Sequence, residues 1–164
     1  MSRQRIEPGP GQESVWDYPR PPRVEPTDEE VVVRLGGVEV LRTTRALRVL
    51  ETSHPPTYYL PRADFVAGAL RPAEGSSFCE FKGHASYLDV VGGDAVASGA
   101  AWFYPEPSRG FEALRDHVAL YPGRVDGVTV AGEEVVPQEG GFYGGWITSR
   151  VVGPFKGSPG TWGW

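Results

Sequence analysis

The sequence predicts a mainly β protein, with two antiparallel sheets meeting in a sandwich or tent and one or two short helices. Three observations lead there. Valine dominates the aliphatic residues, with 20 Val against 9 Leu and 2 Ile, and β-branched side chains suit a pleated, half-buried surface. Glycine (22) and proline (16) are abundant and punctuate the chain as turn residues do. The apolar runs between them are short and frequent, which is the signature of many strands joined by tight connections.

At 164 residues the chain has room for one domain with tails. Residues 1–26 hold Pro8, Pro10, Pro19, Pro21, Pro22 and Pro26 and no periodic apolar pattern. They read as an extended Pro-rich arm, with Val15, Trp16 and Tyr18 as the groups able to dock on a body. The body, 27–164, opens with a strand over Glu30–Leu35, a Gly36-Gly37 turn and a strand over Val38–Arg42. Two glycines between β-branched runs fit a primed hairpin turn, which needs positive φ. Arg45–Glu51 continues as a strand, His54-Pro55-Pro56 breaks it, and Tyr58–Leu60 follows. Pro61–Ala67 reads as one or two helical turns, with proline near the start where its missing N–H costs nothing.

Further strands are expected over Phe78–Lys82, Ala85–Val91 and Ala95–Tyr104, with turns at Gly83 and Gly92-Gly93-Asp94. Phe111–His117 is a second short helix. Val118–Tyr121, Val128–Val130 and Glu134–Val136 complete the strands, before a Gly- and aromatic-rich tail.

Several function classes are excluded or disfavoured. No run approaches 18 consecutive apolar residues, so no membrane-spanning helix is expected. Met1–Gln12 is polar and lacks the apolar core of a signal peptide, and a cytoplasmic location is the natural expectation. The formal net charge of −5 disfavours nucleic acid as a partner, because phosphate neutralisation needs a basic surface. One cysteine, Cys79, and three scattered histidines, His54, His84 and His117, make no tetrahedral set, so neither a metal nor any other cofactor is expected. Phosphate-loop, dinucleotide and nucleophile-elbow motifs are absent.

Polar and aromatic groups at strand ends remain. Glu51 closes an apolar strand, where a carboxylate can act as a general acid or base. Lys82 ends the Phe78–Lys82 run at a glycine turn. It is one of only two lysines, both in Phe-Lys-Gly contexts (Lys82 and Lys156). Trp102 and Tyr104 are two apart on one strand and share a face, whereas Tyr58 and Tyr59 point to opposite faces.

Glu51, then Tyr58-Tyr59-Leu60-Pro61, then Cys79-Glu80-Phe81-Lys82-Gly83 with Ala85 and Tyr87, then Ala101-Trp102-Phe103-Tyr104-Pro105 form an ordered set of blocks. In order and spacing they resemble the domain-of-unknown-function 427 family. The ending, with Phe142-Tyr143-Gly144-Gly145-Trp146 and Pro159-Gly160-Thr161-Trp162-Gly163-Trp164, is similar to one branch of it. The resemblance covers roughly residues 27–164 and implies a β-tent-like fold, two antiparallel sheets with a cleft between them. Relatives of that fold often carry a four-cysteine zinc site, a pattern from which this chain departs because Cys79 stands alone.

The resulting expectation is a small-molecule pocket between the two sheets. Trp102, Tyr104 and one of Tyr58 and Tyr59 would bind the ligand, with Glu51 and Lys82 as a catalytic acid–base pair. A binding module for a ligand or peptide without chemistry is the alternative. A third reading is a scaffold that forms homo-oligomers through the aromatic tail.

Overall fold

The computed structural model describes residues 4–164. Strand accounts for 45% of it and no helix reaches seven residues, so the protein is mainly β. In chain order, β1 (Glu13–Ser14) and β2 (Arg23–Pro26) precede a hairpin of β3 (Val31–Leu35) and β4 (Val38–Thr43). Next come β5 (Leu47–Leu50), β6 (Thr57–Pro61), β7 (Leu70–Cys79), β8 (Gly83–Gly92) and β9 (Ala95–Phe103). β10 (His117–Leu120) and β11 (Gly127–Val130) are followed by four two-residue strands: β12 (Glu133–Glu134), β13 (Val136–Pro137), β14 (Trp146–Ile147) and β15 (Val151–Val152). None of the helices among the described residues is long and apolar enough to cross a membrane.

Seven strands form one antiparallel sheet in the order β2-β5-β6-β10-β9-β8-β7, and four form a second in the order β12-β11-β3-β4. The pairs β13-β14 and β1-β15 are two-stranded, the latter parallel. The sequence differs from the structure in three places. The long edge strand β7 begins at Leu70 and ends at Cys79, so Glu80, Phe81 and Lys82 form a three-residue hairpin turn rather than the end of a strand. Its polar Pro-Ala-Glu-Gly-Ser-Ser stretch hides this strand, because an edge strand needs no apolar face. The two expected helices shrink to single 3-10 turns at Arg62–Asp64 and Glu112–Leu114. The Pro-rich stretch also contributes a sheet strand, β2, which pairs with β5 from Arg23↔Leu50 to Pro26↔Leu47.

The two large sheets pack through Val31, Val33 and Val40 on one side and Leu60, Leu88, Val90, Val118 and Leu120 on the other, all buried. Fully burying such a side chain stabilises by roughly 1.5–3 kcal/mol, and these residues form the core between the sheets. The two sheets also meet backbone to backbone at two turns. Gly36 (φ 64°) and Gly37 (φ 82°) adopt the left-handed turn that the sequence predicts. Gly36 lies directly against Gly92, where a Cβ on Gly92 would overlap the Leu35 carbonyl.

Arg48 pairs in register with Tyr58, so its side chain leaves β5 on the same sheet face as Tyr58 and Leu60, where the N-terminal segment covers it. There the Arg48 side chain is wholly buried and is gripped by Glu13 (3.0 Å) and Glu25 (2.7 Å). Arg150 extends the cluster to Glu13 (3.2 Å) and Glu29 (2.7 Å). Tyr18 donates to Glu13 (2.7 Å) and Tyr58 donates to Glu29 (3.3 Å). Against the desolvation that raises it, hydrogen bonds from Arg48 and Tyr18 hold the Glu13 carboxyl down to about 2.

Two stability predictions follow from this packing. Gly92→Ala should lower the urea midpoint by the equivalent of about 1–3 kcal/mol, as overpacking does, with the slope of the unfolding curve unchanged. Arg48→Met should cost about 1–3 kcal/mol, less than the loss of a fully enclosed pair because Glu13 and Glu25 can rehydrate. A depressed Glu13 contributes stability that is complete above about pH 4.5 and lost as pH falls towards 2. The Arg48→Met chain should therefore show a flatter acid-unfolding profile in that window.

Candidate functional site

Alternation along the strands of the seven-stranded sheet divides its residues between two faces. On β5, Arg48 and Leu50 turn towards the N-terminal segment and Val49 turns the other way, followed by Glu51. On β6, Tyr58 and Leu60 enter the inter-sheet core and Tyr59 turns the other way with Thr57. On β9, Trp102 shares the face of Tyr59, and Tyr104 follows just past the strand end. Trp102 sits in register between Tyr87 of β8 and Ala119 of β10, and the small Ala119 leaves room beside the indole. Tyr121, beyond β10, packs against Trp102 with ring centroids 4.7 Å apart.

These groups form the floor of a cavity of about 370 Å³. Its lining draws on β5 to β9, on residues just beyond β10 and on the hairpin turn at Glu80–Lys82, with no residue from the four-stranded sheet. The cavity therefore lies on the far face of the large sheet and not between the two sheets, which corrects the expectation from sequence. Aliphatic side chains fill the inter-sheet space, while the C-terminal segment, through Gln138, Phe142, Tyr143, Gly144 and Lys156, roofs the other face. Gly144 permits this roof because a Cβ there would strike the Trp102 indole.

Of the six residues singled out from sequence, Glu51, Tyr59, Lys82, Trp102 and Tyr104 line the cavity. Tyr58 does not. It stacks on Trp146 (4.7 Å, 15°) within the inter-sheet core. Nor do Glu51 and Lys82 pair. The Glu51 carboxylate lies 3.3 Å from Arg20 Nε and 3.6 Å from His54 Nε2, and no ion pair joins Glu51 to Lys82 among the described residues. Arg20 belongs to the N-terminal segment, which docks through Val15, Trp16 and Tyr18, but its reach to Glu51 is not foreseen by a strand-by-strand reading.

His54, read from sequence as part of a rigid break and as one of three scattered histidines without a metal set, is the principal site group that the reading missed. Its one local signal is the three-residue spacing from Glu51. The buried Gln138 sets its tautomer. Gln138 Oε1 accepts from the Gly145 N–H (3.0 Å), so its Nε2 is the donor to the Lys156 carbonyl (2.7 Å) and to His54 Nδ1 (3.3 Å). With Nδ1 accepting, the neutral ring carries its proton on Nε2, facing Glu51. Burial pushes His54 down to about 4; Glu51 opposes this, and the positive charges of Lys156, Arg20 and Lys82 assist it. Burial also holds the phenols of Tyr59 and Tyr104 above their ordinary value, so both remain hydrogen-bond donors.

A family model described as a domain of unknown function (DUF427) matches residues 23–131. The chain belongs to the DUF427 family. No curated protein matches it. The DUF427 match runs from β2 to just past β11 and includes every floor residue of the cavity together with Glu51, His54 and Lys82. The roof residues Gln138, Tyr143 and Lys156 lie beyond it.

The His54 environment has a definite pH signature. A histidine held neutral by burial contributes stability that is complete above its unfolded value near pH 6.5 and is lost as pH falls through about 4. His54→Asn keeps an acceptor near the position of Nδ1 but cannot titrate. Urea midpoints measured between pH 7 and pH 4.5 should fall for the native chain and stay nearly level for the variant. The Glu13 contribution acts only below that range.

Proposed function

We propose that this DUF427 member binds a small molecule in the cavity on the far face of its seven-stranded sheet, with the aromatic side chains of Tyr59, Trp102 and Tyr104 as the ligand platform. The observation that carries the reading is the combination of volume and lining. Small-molecule sites are concave, mostly apolar and roughly 300–1,000 Å³, with a few convergent polar groups. Here about 370 Å³ is bounded by an aromatic floor, with Glu51, His54, Lys82 and Lys156 around it. An acid–base pair of Glu51 and Lys82 would require the two to meet. Glu51 faces Arg20 and His54 instead, which favours ligand binding over proton transfer by that pair.

Cys79, the chain's one cysteine, supplies an internal reporter because it lines the cavity. N-phenyl-1-naphthylamine, a neutral aromatic whose emission rises in apolar surroundings, should bind saturably at one site per chain. Its occupancy should slow alkylation of Cys79 by iodoacetamide in parallel. Absence of saturable binding, or saturable binding that leaves the alkylation rate unchanged, overturns the proposal.

A further inference from the structure

We infer that the ligand of this cavity is an aromatic anion, its ring on the Trp102 platform and its anionic group received by Lys82 and Lys156. The inference rests on the binding reading above and adds the chemical class of the ligand. Its first support is distribution. A chain of net charge −5 has only two lysines, and both line the same cavity. They come from unrelated segments, Lys82 from the turn between β7 and β8 and Lys156 from the C-terminal segment beyond β15.

The second support is their lack of counter-charges. Eight arginines make ion pairs with carboxylates within 4.0 Å, but neither lysine does among the described residues. The carboxylates near the cavity do not fill that role. Glu51 is held by Arg20 at 3.3 Å, and Glu80 is exposed at the rim. Lys156 Nζ instead lies 5.7 Å from the centroid of the Tyr143 ring. A half-buried ammonium without a counter-charge forgoes part of its hydration, and a ligand anion would restore that loss through charge-assisted hydrogen bonds.

The third support is position. Both lysines line the cavity together with His54, and Gln138 bridges the His54 ring and the Lys156 carbonyl; their positive charges also disfavour protonation of His54. The imidazole adds no competing charge there, because Gln138 fixes its proton on the side of Glu51. A cationic ligand would meet two like charges, and a neutral one would leave both lysines unanswered. Lysine is a compact point charge that imposes no planar fork, so the shared requirement is an anionic oxygen group on a ring-bearing body.

Two probes that differ by one anionic group test this. 8-Anilino-1-naphthalenesulfonate and N-phenyl-1-naphthylamine share an aminonaphthalene body, and only the first is charged. Both are titrated into the full chain, into Lys82→Met, into Lys156→Met and into the double variant, with Cys79 alkylation locating each probe. Removing each lysine should weaken the sulfonate by about tenfold, the usual effect of one hydrogen bond to a charged group. It should leave the neutral probe within about twofold. In the native chain, raising salt from about 0.05 M to about 0.5 M should weaken the sulfonate alone, a comparison that needs no variant to fold. If the neutral probe binds and protects Cys79 but the sulfonate responds to neither lysine nor salt, the anion inference falls and the cavity reading stands. If neither probe protects Cys79, both fall.

Discussion

The buried guanidinium of Arg48 is the constraint on which the rest of the molecule depends. A cation without solvent contact needs carboxylates around it, and this one, on the strand next to the sheet edge, is held by Glu13 and Glu25. Glu13 also receives Tyr18 and Arg150, while Glu29 receives Arg150 and Tyr58. One charge cluster thus fastens the N-terminal segment, the approach to the β3–β4 hairpin and the C-terminal segment to β5 on the face that Arg48 shares with Tyr58. Arg20 reaches Glu51 only because that segment is docked. The loop at Ser53–Pro56 is then stitched from both sides: Ser53 N–H donates to Val15, Lys156 N–H donates to the Ser53 carbonyl, and Trp146 N–H donates to the Pro56 carbonyl. His54 is carried in the middle of that loop.

The seven-stranded sheet does two jobs because its faces are chemically unlike. One face is mainly aliphatic, with Tyr58 stacked on Trp146 among the buried side chains, and closes on the four-stranded sheet. The other is aromatic, built on Tyr59, Trp102 and Tyr104 with Tyr121 beside them, and large rings on a twisted surface do not pack flush without a covering layer. The C-terminal segment supplies only part of that layer. Its glycines let it approach closely at Trp102, and the remaining volume is the cavity. The DUF427 match covers the floor and ends before the roof, so this enclosure depends on residues outside the matched stretch.

The polar end of the cavity is ordered by one side-chain amide. Gln138 satisfies a buried N–H, a carbonyl and the His54 ring at once. It thereby joins the roof to the Glu51–His54 loop and fixes which nitrogen of His54 faces Glu51. Arg20 opposes the charge of Glu51, while among the described residues Lys82 and Lys156 have no carboxylate partner within 4.0 Å. This asymmetry, and not a contact between Glu51 and Lys82, gives the cavity its electrostatic character.

The sequence alone determined the mainly β architecture, because β-branched runs and glycine turns are local properties. The Gly36-Gly37 hairpin, the strand expected over Ala95–Tyr104 and formed over Ala95–Phe103, and the common side of Trp102 and Tyr104 were all legible from spacing of one or two residues. Strand β7 was not, since an edge strand carries no alternating apolar signal, and neither was β2 within a proline-rich stretch. Period-two alternation put Tyr58 and Tyr59 on opposite faces but could not say which face held the cavity, because that depends on where the second sheet and the C-terminal segment pack. The partners of Glu51 were likewise beyond reach. Arg20 and His54 meet the Glu51 carboxylate, and Gln138 orients His54 from the far side of its ring, through turns and hydrogen bonds between distant segments.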